Sequence, residues 1–279
     1  MQTDRNGLAR MESTQRTTRN KKALRTMNAW NGTSLPPLAT HPILVIGPDG
    51  AFRRTLSREI ESLPAPVTTA ESLSAAADDR ALDERPPSIV LLPETEIRPD
   101  EFESSLAELR VRVGSPRLVP IAFGRAPDDA RREEIREAGV DLALFGRFGR
   151  HALRFQINRA LSPFAEGHYR GELRAPKEWR TRTYSSGREK GVRCYSLSSK
   201  GAYFVTPRPW VVGSEIAFEL PVGFDRLMIS GNILYTNLGE DGSRPTLPRG
   251  MAVSFRRLPK HIRRTIQKDV RTTHQSLDV

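Results

Sequence analysis

Cysteine is almost missing from this 279-residue chain: Cys194 stands alone, so no disulfide can form within it. The histidines His41, His151, His168, His261 and His274 are scattered, without the spacing of a zinc site. No stretch holds eighteen consecutive apolar residues, and the opening "MQTDRNGLARMESTQRTTRNKKALRT" has no apolar centre. Neither a membrane span nor a secretory signal is therefore predicted, and a cytoplasmic protein is expected. Acids, bases and nucleophiles do not gather into a catalytic constellation, so no enzyme activity, cofactor or metal is expected either.

Positive charge is abundant, and it is uneven. The formal net charge is +11, with 7 basic and 2 acidic residues in positions 1–40, 17 and 20 in 41–164, and 20 and 11 in 165–279. A basic field favours anionic partners such as nucleotides, nucleic acid or lipid head groups, whereas any single cluster is more often a solvated face. Residues 1–40 are rich in Thr, Arg and Asn. They hold too little apolar surface to offset the entropy of ordering, which predicts a disordered basic tail.

From residue 42 the texture changes. "ILVIG" (43–47), "SIVLL" (88–92), "RLVPIAFG" (117–124) and "DLALFG" (141–146) are short apolar runs, the pattern of strands buried on both faces of a parallel sheet. Helical stretches alternate with them. "AFRRTLSREIESL" sets Phe52, Leu56, Ile60 and Leu63 on one stripe, and "DEFESSLAELRVRV" and "DDARREEIREAG" follow. Strand and helix in alternation predict a doubly wound, flavodoxin-like α/β domain over residues 41–161.

These segments, with "EAGVDLALFGRFGRHALRFQINRAL" closing the set, resemble a bacterial response-regulator receiver domain. The resemblance implies an acidic pair at the end of the first strand, but Gly47 and Pro48 stand there with Asp49 beside them. It implies an aspartate at the end of the third strand, but Pro93 occupies that place. The switch hydroxyl falls near Gly124 or Arg125 and the lysine at Gly146. Phosphoryl transfer needs a carboxylate nucleophile and a cation, and proline supplies no nucleophile. The expectation is a pseudo-receiver that works through protein contacts, with Glu94 the nearest carboxylate to the lost site.

Beyond residue 165 the pattern turns to short alternating segments: "EWRTRTY", "GVRCYSL", "GAYFVT", "SEIAFELPV", "RLMISGNILYTN" and "GMAVSFRRL". Turn residues separate them, which predicts an antiparallel barrel or sandwich. A helix opened by Pro259 should follow, with Ile262, Ile266 and Val270 four apart. Trp179, Trp210 and Cys194 read as packing residues.

Two motifs carry a second resemblance. Arg170-Gly-Glu-Leu-Arg174, followed by Ala175-Pro176, fits an RxxxR pattern, and Ser196-Leu-Ser198-Ser-Lys-Gly201 fits [D/N]xSxxG except at its first position. In this order, with intervening strands, they resemble a PilZ domain, here over residues 162–279. The resemblance implies a six-stranded antiparallel barrel with a C-terminal helix, and cyclic di-GMP as ligand. It also implies a site at Arg170, Arg174, Ser196, Ser198 and Gly201.

Guanidinium forks match phosphate oxygens and guanine O6 and N7, and their faces stack on bases. Ser196 is shorter than Asp and neutral, so the site loses a charge-assisted bond of about 1.5–3 kcal/mol, roughly ten- to a hundredfold in affinity. The expected protein is a non-catalytic signalling effector that binds cyclic di-GMP and relays its state to a signalling or motility partner. The alternative is a PilZ-like adaptor that takes no nucleotide and acts by protein contacts in motility or cell polarity. No groove-reading motif accompanies the basic ends, so nucleic acid is not an expected partner.

Overall fold

The computed structural model describes residues 41–63, 65–161, 172–222, 225–238 and 247–279. The N-terminal tail and Arg170 lie outside them.

The first unit runs β1 (Ile43–Ile46), α1 (Ala51–Glu61), β2 (Val67–Ala70), α2 (Leu73–Asp78), α3 (Ala81–Glu84), β3 (Ile89–Pro93), α4 (Pro99–Arg112), β4 (Val119–Gly124), α5 (Asp129–Glu137), β5 (Leu142–Phe145) and α6 (Arg150–Leu161). Its five strands are all parallel, in the order β2-β1-β3-β4-β5. Side chains alternate along a strand, and both faces are covered. Leu44, Ile46, Val90, Leu92 and Ala122 pack with Phe102, Leu106 and Leu109 of α4 and Ile135 of α5. Ile43, Val45, Ile89, Leu91 and Ile121 pack with Leu56 and Ile60 of α1 and Leu153 and Ile157 of α6. This is why the strands read as unbroken apolar runs.

The predicted α1 stripe needs one correction. Leu56, Ile60 and Leu63 are buried, but Phe52 is 52% exposed. It sits on the first turn of the helix and packs its ring near those of Phe123 and Phe148, at 5.2 and 6.5 Å between centroids.

The second unit runs β6 (Arg174–Pro176), β7 (Arg180–Ser185), β8 (Arg188–Ser198), β9 (Gly201–Val205), β10 (Glu215–Val222), β11 (Asp225–Asn237), β12 (Gly250–Phe255) and α7 (Lys260–Gln275). Strands β8-β7-β10-β11-β12-β9 are antiparallel, and β9 pairs back onto β8, which closes a six-stranded barrel and removes the free edges. Phe204, Phe218, Ile233, Met251 and Val253 fill it, with Ile266 and Val270 of α7 against the same core. The fold class is therefore as the sequence predicts: a flavodoxin-like parallel sheet followed by a closed antiparallel barrel with a C-terminal helix. The short strand β6 adds to β8 outside the closed ring.

Candidate functional site

In the first unit, the charged side chains at the carboxyl ends of β1 and β3 are paired with arginines of helices α1 and α5. Pro93 ends β3 and Glu94 follows. Gly124 has φ +144, and a Cβ there would stand 2.9 Å from Glu94 Cγ, so glycine is what allows Glu94 to lie across the strand end. Arg131 of α5 fixes that position: its Nη2 donates to the carbonyls of Glu94 and Ile97, both at 2.6 Å, and its Nε is 3.7 Å from the Glu94 carboxylate. Asp49 is paired with Arg53 at 3.2 Å and Arg54 at 3.1 Å. Two separate carboxylates, each matched to arginine, do not fit a divalent cation, which takes several oxygen ligands around one point. Among the described residues no group of three His, Cys, Asp or Glu side chains is arranged to hold a metal.

In the second unit, Arg174, the last residue of the first motif, lies beside the second motif. Strand β6 pairs antiparallel with β8, so that Arg174 is opposite Ser198, Ala175 opposite Leu197, and Pro176 opposite Ser196. The β8–β9 turn that follows is built by its own hydroxyl. Ser198 Oγ accepts from the backbone N–H of Gly201 at 3.1 Å and of Lys200 at 3.3 Å, a local bond of the kind serine offers turns. Gly201 is required by close approach: a Cβ there would stand 2.4 Å from the Val253 carbonyl oxygen of β12. Ser196 and Ser198 are 3% and 2% exposed, which leaves Arg174 and the residues around the turn as the polar groups nearest solvent.

Three residues at this turn, Glu172, Ser199 and Lys200, were not singled out by the motif reading. Ser199 Oγ donates to Glu172 at 2.5 Å, and Lys200 Nζ stands 2.6 Å from the other Glu172 oxygen. The Lys200 bond first and the Ser199 bond second hold the Glu172 carboxyl below its ordinary range. Their signal lay within the motifs, at positions the patterns leave free. The tryptophans pack as expected: Trp210 Nε1 donates to Thr183 Oγ1 at 3.0 Å, with Lys190 Nζ 3.5 Å from its ring centre.

Helix α7 ties this region to the first unit. Lys177, buried behind β6, bonds Asp269 at 2.9 Å and Thr273 at 2.8 Å. His274 Nδ1 is 2.8 Å from the Arg174 carbonyl oxygen. Residues 277–279 then lie along β5: the Ala143 N–H donates to the Leu277 carbonyl at 3.0 Å, and the Val279 N–H to the Asp141 carbonyl at 3.2 Å. Gln156, fully buried, donates to the carbonyls of Ala143 and Leu277 at 2.7 and 2.5 Å. Arg132 donates to the Asp278 carbonyl at 3.0 Å, Arg159 pairs with its carboxylate at 2.6 Å, and Arg136 bonds the Val279 carbonyl. A sheet edge that would be open is thus covered by strand addition.

No protein-family model matches the sequence, and neither does any curated protein. Solved structures that resemble parts of it are of two kinds. The PilZ domain of YcgR from Escherichia coli, with c-di-GMP, is 18% identical over 39% of this chain and 94% of its own (TM-score 0.32). The inhibitor of motility MotI from Bacillus subtilis is 10% identical over 39% of this chain and 53% of its own (TM-score 0.32). The receiver domain of sensor histidine kinase PA1611 from Pseudomonas aeruginosa is 20% identical over 43% of this chain and 97% of its own (TM-score 0.36). The structures similar to this chain thus include both PilZ domains and response-regulator receiver domains.

Proposed function

We propose that this chain is a non-catalytic signalling effector whose barrel binds cyclic di-GMP and whose α/β unit passes the bound state to a signalling or motility protein. The single observation that carries the reading is the register of β6 on β8, which sets Arg174 directly across from Ser198. Two sequence-distant residues, an arginine of the first motif and a serine of the glycine-containing turn motif, are thereby cross-strand neighbours, and those residue types suit a phosphodiester with purine edges. Arg170, Arg174, Ser196, Ser198 and Gly201 are the proposed ligand-binding residues. The proposed boundaries are a basic tail over 1–40, a pseudo-receiver over 41–161 and the nucleotide-binding domain over 162–279.

The proposed relay runs through α7. Its His274 bonds the Arg174 main chain, and residues 277–279 beyond it pair with β5. A ligand that shifts the segment around Arg174 therefore acts on the helix that fastens the two units together, an element whose two positions a partner at the α/β unit distinguishes. Such an effector acts in the cytoplasm; among the described residues no helix is long and apolar enough to cross a membrane.

Calorimetric titration with cyclic di-GMP, with GTP as control, tests the reading. Saturable binding that is lost in the Arg170→Ala/Arg174→Ala protein supports it. A folded wild-type protein that binds nothing at about 100 μM ligand would replace it with an adaptor that works by protein contacts alone. One observation favours that second reading. Ser196 offers no carboxylate and is 3% exposed, while Ser198 and Gly201 have structural work in the turn and against β12.

A further inference from the structure

The turn between β8 and β9 already holds an anion, and the chain supplies it. Glu172 precedes β6, inside the arginine-flanked stretch, and its two carboxylate oxygens take the Ser199 hydroxyl at 2.5 Å and the Lys200 ammonium at 2.6 Å. Arg263 of α7 adds a smaller favourable positive potential at Glu172. Ser199 is buried at 6% exposure, whereas the Glu172 side chain is 34% exposed, so water reaches the carboxylate but not the hydroxyl side of their bond. The neighbouring Leu173 is 50% exposed, so apolar burial does not fasten the segment here. Glu172 adds a side-chain contact to the turn just ahead of β6, where the ladder with β8 begins at Arg174.

A hydroxyl and an ammonium side by side are donors for any compact anion, and a phosphodiester uses the same acceptor chemistry as a carboxylate. The two anions compete for these donors: the single Ser199 hydroxyl proton serves one acceptor at a time, and like charges a few ångströms apart repel. We propose that Glu172 is an internal competitor for the nucleotide: its carboxylate occupies the Ser199 and Lys200 donors in the free protein and must leave when cyclic di-GMP binds. This rests on the nucleotide-binding reading above and adds to it a built-in control of affinity.

The Lys200 side chain is 73% exposed, so that ion pair alone contributes little. The Ser199 bond carries more, because its donor is buried and a hydrogen bond to a charged group outweighs a neutral one. A closed state favoured by such a contact weakens apparent affinity by the fraction of molecules that are open; solvent at the exposed carboxylate keeps the effect below that of a fully buried charge-assisted bond, at about threefold to tenfold.

The test is calorimetric titration of the full chain with cyclic di-GMP in wild-type, Glu172→Ala, Glu172→Gln and Arg174→Ala forms, with amide hydrogen exchange of residues 172–174 measured without ligand. The expected result is about three- to tenfold tighter binding by Glu172→Ala, a smaller gain for Glu172→Gln, and faster exchange at 172–174 in both. Binding by wild type that is unchanged or weakened in Glu172→Ala overturns the competitor while leaving the nucleotide site intact. Unchanged exchange in Glu172→Ala overturns the fastening role. Absence of binding in all four proteins overturns the nucleotide reading and the competition with it.

Discussion

Arg174 and Ser198 are cross-strand partners in the β6–β8 ladder, and the same register sets Ser196 against Pro176, out of solvent at 3% exposure. An aspartate introduced at 196 therefore becomes a buried carboxylate in the free protein. We expect Ser196→Asp to lower stability by about 1–3 kcal/mol. Bound cyclic di-GMP offers guanine N–H donors and should restore more stability to this variant than to wild type, because a ligand stabilises the state that binds it. Thermal unfolding with and without nucleotide measures both effects, and equal ligand-induced shifts in the two proteins would count against a guanine contact at 196.

The attachment of residues 277–279 to β5 is open to a direct test. Val279 is 3% exposed, in the core with Leu44, Val90 and Phe102. Val279→Asp puts an unpaired carboxylate there, and we expect a loss of at least about 3 kcal/mol of the stability gained by docking this segment, by burial of charge and loss of apolar packing. Small-angle scattering should report a larger radius of gyration as the two units separate. An unchanged scattering profile with a folded protein would mean that the units stay joined without residues 277–279, through direct bonds such as His151 to the Lys177 carbonyl and Asn158 to the Tyr195 hydroxyl.

Restoring one acid to the crevice of the first unit should not restore phosphoryl chemistry. In Pro93→Asp the new carboxylate gains a nucleophile, but Gly47 and Pro48 still provide no ligands and Arg131 still holds Glu94. Incubation with a small phosphodonor and Mg²⁺, followed by intact-mass measurement, should show no phosphate added. A mass increase of one phosphoryl group would refute the pseudo-receiver reading of this crevice.

Cys194 lies wholly inside the barrel, and burial pushes its thiol up to about 12. It should resist a disulfide reagent at pH 8 in the folded protein and react at once in denaturant. The unfolded thiol ionises near 9, so the stability linked to the protonated thiol is fully present below pH 9. It declines as pH rises from 9 toward 12, where the unfolded chain has released a proton that the folded one keeps. Fast labelling without denaturant would show that the barrel opens locally at β8.

The parts of the fold legible in the sequence were those in which local pattern and burial agree. β1, β3 and β4 read as strands because each is covered on both faces, and the barrel strands read as alternating segments because one face is wet. β2 gave no such signal. Its "VTTA" is a polar edge strand, half-exposed against β1 alone. β6 gave none either: three residues ending in proline look like a loop, and pairing with β8 is what makes them a strand.

The candidate site divides the same way. Residue types determined what chemistry is present at Arg170, Arg174 and the Ser196–Gly201 motif, and they determined what is missing at Gly47, Pro48 and Pro93, because a side chain's charge and donors go wherever the residue goes. Only tertiary structure decided that Arg174 faces Ser198, that Glu172 reaches Ser199 and Lys200, and that residues 277–279 cover β5. Each of these joins segments far apart in the chain, and long-range pairing is set by the closure of the barrel and the burial of its edges rather than by any local preference.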